Sequence, residues 1–143
     1  ESVKSGLVTI ICGETGSGKS TRIPQFLYAH GLVSQNEGAK VVVTQPRRIA
    51  AMSLSKRVSE EVATAYLSER PNSDLVGYQV RWQHSKNHQE CPIKFVTDGI
   101  LLNEMMSDPL LSQYQYVVID EAHERKMVSD VLVVLVVQAG RCL

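Results

Sequence analysis

The chain contains the stretch Tyr116-Val117-Val118-Ile119-Asp120-Glu121-Ala122-His123-Glu124-Arg125, an apolar run followed at once by a charged one. An apolar run rich in β-branched residues predicts a buried parallel strand. In open α/β sheets, ligands bind beyond the carboxyl ends of the strands, which is where Asp120 and Glu121 would lie. One carboxylate of such a pair can hold Mg²⁺ and the other can orient a water molecule. The pair therefore predicts the metal half of a site that hydrolyses nucleoside triphosphates.

The phosphate half of that site is predicted upstream, by Gly13-Glu14-Thr15-Gly16-Ser17-Gly18-Lys19-Ser20, which fits the P-loop pattern without a mismatch. Glycines let such a loop adopt positive φ angles, so that its N–H groups point at phosphate oxygens. Lys19 would reach the β- and γ-phosphates, and the Ser20 hydroxyl would bind Mg²⁺. A strand over Leu7–Cys12 and a helix over Thr21–Ala29 supply the strand–loop–helix context that the pattern requires.

Composition indicates one globular domain. The chain has 143 residues, of which 43% are hydrophobic and 21% charged, enough apolar content for a core. Because the formal net charge is zero, a site for nucleic acid has to be a local basic patch. The three cysteines form no C-x-x-C pair, which favours free thiols. There is no signal peptide pattern, and the apolar run Val131–Val137 is too short to span a bilayer.

The rest of the chain alternates predicted strands with predicted helices. This alternation predicts an α/β fold with a mostly parallel, doubly wound sheet and helices on both faces. Residues 83–91 are polar and are predicted to form a surface loop. Strands are predicted over 39–44, 75–82, 93–97 and 116–119, and helices over 48–67, from 98 or 99 to Pro109, and over 127–139.

With both halves of the site in place, the chain resembles the first RecA-like domain of DEAH-box RNA helicases of superfamily 2. The resemblance covers about residues 7–130, nearly the whole chain. Two departures from the family's usual residues are Arg22 and Lys126. Four motifs occur in the family's order: motif I at Gly13–Thr21, motif Ia at Thr44–Ala51, motif Ib at Thr97–Leu102 and motif II at Asp120–Arg125.

The resemblance implies a role for each residue of the nucleotide site. Glu121 would be the base that orients the attacking water, and His123 would couple the nucleotide site to a second domain. Ser20, Asp120 and Glu121 would form the Mg²⁺ site. The residues expected to bind ATP, or another nucleoside triphosphate, are Gly13, Glu14, Thr15, Gly16, Ser17, Gly18, Lys19, Ser20, Thr21 and Asp120.

The resemblance also implies that Arg47, Arg48, Thr97 and Gly99 lie along the backbone of single-stranded RNA. Arginines after a strand end and near a helix N-terminus suit phosphate, and such contacts fix position without reading sequence. An ordinary solvated basic pair is the alternative for Arg47 and Arg48. For Thr97 and Gly99 the alternative is a helix N-cap followed by a tight turn, which is compatible with an RNA contact.

The remaining aromatic and histidine residues are predicted to have no role at the site. Trp82 and Tyr78 could stack on bases, but packing at a strand edge is favoured for both. His30, His84 and His88 show no metal-ligand spacing.

The resemblance implies an RNA-dependent ATPase that remodels RNA or RNA–protein complexes, active inside the cell in the nucleus or cytoplasm, with no membrane partner. We expect residues 1–143 to be an ATP-binding domain that is incomplete at its C-terminal end and lacks its second RecA-like domain. That domain and proteins of RNA–protein complexes, including activators, are the expected protein partners. Two alternatives are a nucleotide-binding scaffold with little catalysis and an unrelated P-loop kinase or transporter ATPase. Intact catalytic residues argue against the scaffold, and the motifs around Arg47 and His123 argue against the unrelated ATPase.

Overall fold

The computed structural model describes residues 8–29, 40–66, 75–85 and 88–140. In these ranges, helices and strands alternate along most of the chain, as the sequence predicts. A single 3₁₀ turn, Ala122–Glu124, follows the last strand. The elements are helix α1 (Lys19–Ala29), strand β1 (Lys40–Gln45), helix α2 (Arg48–Tyr66), strands β2 (Val76–Val80), β3 (Gln83–His84) and β4 (Ile93–Thr97), helix α3 (Asp98–Ser107), strand β5 (Tyr114–Ile119) and helix α4 (Met127–Gly140).

The strands form one five-stranded sheet in the order β3-β2-β4-β1-β5. β1 pairs in parallel with β4 on one side and with β5 on the other, and β2 continues the parallel pairing beyond β4. Only β3 runs antiparallel, as the short return strand of a hairpin with β2. The prediction of a mostly parallel sheet is therefore confirmed.

Helices cover both faces of the sheet, and each face has its own apolar core. One core joins α1 and α2 to inward-facing residues of β1, β2 and β4, among them Val41, Val43 and Phe95. The other core joins α3 and α4 to residues of β1, β4 and β5, among them Val42 and Val96. Because side chains alternate between the faces of a strand, β1 contributes valines to both cores.

A buried ion pair crosses the second core. Lys94 on β4 is 4% exposed, and its Nζ donates to Glu104 Oε1 on α3 at 2.8 Å and to the Tyr114 hydroxyl on β5 at 3.1 Å. The Tyr114 hydroxyl in turn donates to Glu104 Oε2 at 2.6 Å. The pKa of the Tyr114 hydroxyl is raised well above its usual range, mainly because the group is buried and also because it donates this bond to Glu104. The three groups satisfy one another, which a charge in an apolar core requires.

The predicted strand before the P-loop is wrong for its described part. Residues 8–12 form no strand, and the side chains of Val8 and Ile10 are 55% and 85% exposed. Their β-branched sequence favours an extended backbone, but a strand persists only where a neighbour takes up its N–H and C=O groups. Leu7, the first residue of that prediction, lies outside the described residues.

Two further predictions need correction at the sheet edges. The 75–82 strand ends at Val80, and the polar segment after it contains the two residues of β3 rather than only loop. β5 is parallel, as predicted, but it lies at the edge of the sheet that the described residues form, so most of its side chains are half-buried rather than buried. The 93–97 strand matches β4, and the three helices predicted after β1 match within one or two residues.

The apolar helix α4 does not suggest a membrane segment. Across the described ranges, the helices are too short or too polar to cross a bilayer.

Leu101→Ala should destabilise the chain by about 3 kcal/mol, because Leu101 is fully buried between α3 and the sheet and its loss leaves a cavity. Urea denaturation measures this free energy. Met106→Ala on the same helix is the control, since Met106 is 81% exposed and its loss should change stability by no more than about 0.5 kcal/mol. Equal effects of the two substitutions would contradict the placement of this core.

Candidate active site

The candidate residues lie along one edge of the sheet. Because β1, β4 and β5 are parallel, their carboxyl ends meet at this edge, and β1 is the middle strand of the three. Asp120 follows β5, Arg47 follows β1, and Thr97 is the last residue of β4. The edge therefore runs from the predicted nucleotide residues at Asp120, past the arginines, to the predicted RNA residues at Thr97 and Gly99.

The P-loop forms a tight turn into α1. Gly16 and Gly18 have φ angles of +81° and +83°, a backbone region that side chains with a Cβ rarely adopt. The Gly18 carbonyl accepts hydrogen bonds from the N–H groups of Thr21 and Arg22, which starts the helix. The positive φ angles that the sequence predicts are found at these two glycines.

Lys19, the first residue of α1, folds back over the loop. Its Nζ donates to the carbonyl oxygens of Gly13 and Glu14 at 2.6 and 2.7 Å, and to Ser17 Oγ at 3.2 Å. All three acceptors are neutral. A phosphate oxygen would be a stronger acceptor because its hydrogen bond to the ammonium group is assisted by charge. The lysine is thus held at the mouth of the loop by bonds that an anion can replace.

Asp120 is held in position by two donors. The side-chain amide of Gln45 donates to Asp120 Oδ2, and the backbone N–H of Glu121 donates to Oδ1 at 2.9 Å. Gln45 is the last residue of β1 and is only 2% exposed. Alternation along β5 places Asp120 on the same face as Tyr116 and Val118, the face that α1 covers. Asp120 therefore lies on the same side of the sheet as α1, the helix that begins at the P-loop.

Glu121 has a left-handed backbone, with φ of 54° and ψ of 28°. This conformation is uncommon for a residue other than glycine, and such strain is concentrated at functional sites. The turn directs the Glu121 side chain toward His123, with Oε2 3.4 Å from His123 Nε2. Both side chains are open to solvent, so a ligand can reach them. The structure thus brings together two residues that the sequence predicts as functional.

Glu124 joins the run after β5 to the arginines after β1. Its Oε2 lies 3.0 Å from Lys126 Nζ, and its Oε1 lies 3.1 Å from Arg47 Nη2. The hydrogen bond from Lys126, together with the charge of Arg47, lowers the pKa of the Glu124 carboxyl group. Lys126, one of the two departures from the helicase pattern, thus shares a carboxylate with a predicted RNA contact.

The other predicted RNA residues lie along the same edge of the sheet, where Gln45 pairs with Thr97. Arg48 is the exposed first residue of α2, and Gly99 is exposed in the first turn of α3, where an added Cβ would meet no atom within 4 Å. Thr97 occupies the N-cap position of α3 but makes no side-chain capping bond. Its hydroxyl is therefore not committed to capping the helix.

Sequence reasoning missed two residues of this edge, Gln45 and Glu124. Both occur inside the motifs already recognised, but their contacts depend on which strands are neighbours. The pairing of Thr44 with Ile119 puts the next residue of each strand, Gln45 and Asp120, side by side. The order of strands in the sheet was the missing information.

The prediction that Trp82 packs at a strand edge is wrong. Its side chain is 85% exposed, and the Arg81 guanidinium lies 5.1 Å from the ring centroid. Trp82 has a φ of 70° in the turn between β2 and β3, which turns the indole outward. Tyr78, by contrast, packs against the core, as predicted. His84 and His88 lie together with ring centroids 4.3 Å apart, and no group of three or more potential metal ligands occurs in the described ranges.

The chain matches the family model of the DEAD/DEAH box helicases over residues 1–130. The human protein named "Probable ATP-dependent RNA helicase DHX37" is 47% identical over 133 residues, which are 93% of this chain and 11% of that protein. Human ATP-dependent RNA helicase DHX33 is 49% identical over 123 residues, 86% of this chain and 16% of that protein. The Arabidopsis thaliana pre-mRNA-splicing factor ATP-dependent RNA helicase DEAH10 is 43% identical over 141 residues, 99% of this chain and 18% of that protein. The chain thus spans less than a fifth of the length of these curated relatives.

Gln45→Leu should weaken binding of Mg²⁺-nucleotide about tenfold, because outer residues that orient a metal-binding carboxylate typically contribute that much. Titration with a fluorescent nucleotide measures the loss, and chelating Mg²⁺ with EDTA should abolish the difference between variant and wild type. Gln115→Leu, at an exposed position of β5, the strand that Asp120 follows, is the matched control. Unchanged Mg²⁺-dependent affinity in Gln45→Leu would show that the amide does not position Asp120.

Proposed function

The chain belongs to the DEAD/DEAH box helicase family, and on that premise we propose that it is the nucleotide-binding half of a DEAH-type, ATP-dependent RNA helicase. The observation that carries the proposal is the contact of the two predicted ligand sites. Arg47, from the arginine pair after β1, forms an ion pair with Glu124 of the run that begins with Asp120. Such a contact gives an enzyme that couples ATP hydrolysis to a changing grip on RNA a physical connection between its two sites.

ATP would bind with its phosphates at the P-loop. Lys19 would exchange the carbonyl oxygens of Gly13 and Glu14 for the β- and γ-phosphates, and the positive end of α1 would favour the negative charge. The backbone of residues 13–18 and the side chains of Ser20 and Thr21 complete the cradle. The loop grips phosphates only, so it supports a nucleoside triphosphate as ligand without selecting the base.

The residues after β5 fit Mg²⁺. This ion prefers oxygen ligands and usually takes one or two carboxylates together with substrate phosphates, so a large ligand cluster is not needed. Asp120 supplies a carboxylate whose orientation is fixed by Gln45 and by the N–H of Glu121. The Ser20 hydroxyl and Glu121 supply further oxygen. When bound, the ion would neutralise charge on the phosphates.

Glu121 would act as the general base. Its exposed carboxylate is held outward by the left-handed turn, where it can orient a water toward the terminal phosphate. His123, 3.4 Å away, would contact the second RecA-like domain when that domain closes on the nucleotide. An arginine supplied by such a domain can raise the rate of phosphoryl transfer by several orders of magnitude, so this chain alone should hydrolyse ATP poorly.

Single-stranded RNA would follow the sheet edge past Arg47, Arg48, Thr97 and Gly99. Arg48 and Gly99 are exposed, and Arg47 can exchange Glu124 for a phosphate. These contacts would reach the backbone rather than the bases, so the chain would grip RNA without selecting its sequence.

Further partners follow from the proposal. A second RecA-like domain of the same protein and proteins of RNA–protein complexes, including activators, would act with this chain, in the nucleus or the cytoplasm. The Arabidopsis thaliana relative is named a pre-mRNA-splicing factor. Splicing is one of the RNA-remodelling processes in which such an ATPase could work.

The alternative is a nucleotide-binding scaffold with little catalysis. A scaffold of this kind would keep the P-loop but lack the carboxylates that bind Mg²⁺ and orient the attacking water. Asp120 and Glu121 are both present, and Asp120 is oriented by two donors, so the geometry favours the ATPase.

In the full-length protein, single-stranded RNA should stimulate ATP hydrolysis, and Glu121→Gln should reduce the stimulated turnover by about 100-fold or more, the usual contribution of a general base. Lys19→Ala should weaken ATP binding by at least about tenfold, because it removes a charge-assisted hydrogen bond. Steady-state turnover and nucleotide titration measure the two effects. Near-zero turnover of the wild type with RNA present would favour the scaffold.

Arg48→Ala should weaken binding of single-stranded RNA to a similar extent for every base sequence, and it should lower the slope of log Kd against log salt by about 0.7, the value for one lost phosphate contact. Fluorescence anisotropy at several salt concentrations measures both quantities. Arg57→Ala is the control, because Arg57 lies on the same helix and pairs with Glu61 at 3.1 Å. An unchanged salt slope in Arg48→Ala would show that Arg48 makes no phosphate contact.

A further inference from the structure

Asp98 and Ser129 form a buried hydrogen bond that joins the two helices on one face of the sheet. Ser129 Oγ donates to Asp98 Oδ2 at 2.5 Å, and the two residues are 3% and 5% exposed. Asp98 is the first residue of α3, and Ser129 is the third residue of α4. The bond therefore fastens the beginning of one helix to the beginning of the other.

At its first end, this bond lies directly behind the proposed RNA contacts. Thr97 and Gly99 flank Asp98 in sequence, and Gly99 is exposed while Asp98 is turned inward. Helix α3 continues from this point as a regular helix to Ser107. A displacement of Thr97 or Gly99 by a ligand would therefore displace the Asp98 carboxyl group.

At its second end, the bond lies beside the run that carries the nucleotide residues. Asp130, the residue after Ser129, accepts hydrogen bonds from Arg125 Nε at 3.1 Å to each carboxylate oxygen. Arg125 is the last residue of the Asp120–Arg125 run and has a left-handed backbone, with φ of 50°. Two consecutive residues of α4 thus connect Asp98 to the end of that run.

Stability alone does not account for the burial of Asp98. Its Oδ1 has no hydrogen-bond partner among the described residues, and neither has the buried hydroxyl of Thr44 on the same face of the sheet. Burying a carboxyl group with incomplete partners costs free energy. The N-terminus of α3 offsets part of that cost, but an exposed acidic residue would gain the same benefit without burial. A buried polar atom without a partner calls for an explanation, and a functional role next to the proposed RNA contacts is one.

We propose that the Asp98–Ser129 hydrogen bond is a positioning link through which RNA at Thr97 and Gly99 acts on the nucleotide site. RNA binding displaces the first turn of α3, Asp98 carries the displacement to Ser129, and Asp130 passes it to Arg125. Asp98 and Ser129 are positioning residues, since neither contacts RNA or nucleotide. The inference rests on the proposed function.

The test is Ser129→Ala in the full-length protein, with ATP turnover measured with and without single-stranded RNA. RNA-stimulated turnover should fall by at least about fivefold, the lower range of typical coupling between two sites, while turnover without RNA and the KM for ATP stay within about twofold. Ser129→Thr keeps the hydroxyl and should keep the stimulation. Ser55→Ala, at a buried serine on the opposite face of the sheet, should change neither rate.

Unchanged stimulation in Ser129→Ala overturns the link, as does an equal fall in turnover with and without RNA, which indicates a purely structural bond. If Ser129→Ala does not fold, Asp98→Ala replaces it, since it removes the acceptor of the bond from Ser129, and unchanged stimulation there also overturns the link. The double variant should lose no more stimulation than Ser129→Ala alone, and additive losses contradict a shared link.

Two outcomes separate the link from the proposed function. If RNA does not stimulate ATP turnover by the wild-type protein, the proposed function is overturned together with the link. If RNA stimulates the wild type and Ser129→Ala equally, only the link is overturned.

Discussion

The parallel pairing of β1 with both β4 and β5 is the constraint on which the whole site depends. The register places Gln45 beside Thr97 on one side and Thr44 beside Ile119 on the other, so the ends of all three strands meet at one edge. Residues that are 50 or more positions apart in sequence become neighbours there. Because the valines of β1 are buried in two cores at once, slipping this strand by one residue would disrupt both of them.

Three cations of this edge, Lys19, Arg47 and Lys126, are paired with oxygen atoms of the protein itself. Lys19 is held by loop carbonyls, and Arg47 is held by Glu124, whose other oxygen is held by Lys126. Exposed pairs of this kind contribute little to stability, so a phosphate can replace them at small cost. The buried contacts around Asp98 and Lys94 are of the opposite kind, since breaking them leaves a polar group without a partner inside the protein. The edge therefore combines exchangeable surface contacts with fixed internal ones.

Much of this fold could be predicted from local sequence. Runs of β-branched residues indicate the strands, the glycines indicate the P-loop, and Pro109 indicates the end of a helix, and each of these signals lies within a few neighbouring residues. The bounds of β4 and the positive φ angles of Gly16 and Gly18 are examples. Features that depend on contacts between residues far apart in the sequence could not be predicted. Among the described residues, the apolar segment 8–12 resembles a strand but has no place in the sheet, and β5 lies at the edge of that sheet although its sequence resembles a buried strand. The contacts of Gln45 and Glu124 likewise required the strand order.

We expect the proposed nucleotide and RNA sites at this sheet edge to be coupled. Coupling between two sites is reciprocal, so a nucleotide must change the affinity for RNA by the same factor by which RNA changes the affinity for the nucleotide. The most direct measurement is the dissociation constant of single-stranded RNA from the full-length protein, with and without a non-hydrolysable ATP analogue, alongside the converse titration. We expect two equal factors that differ clearly from one. An RNA affinity that is the same with and without nucleotide would contradict it.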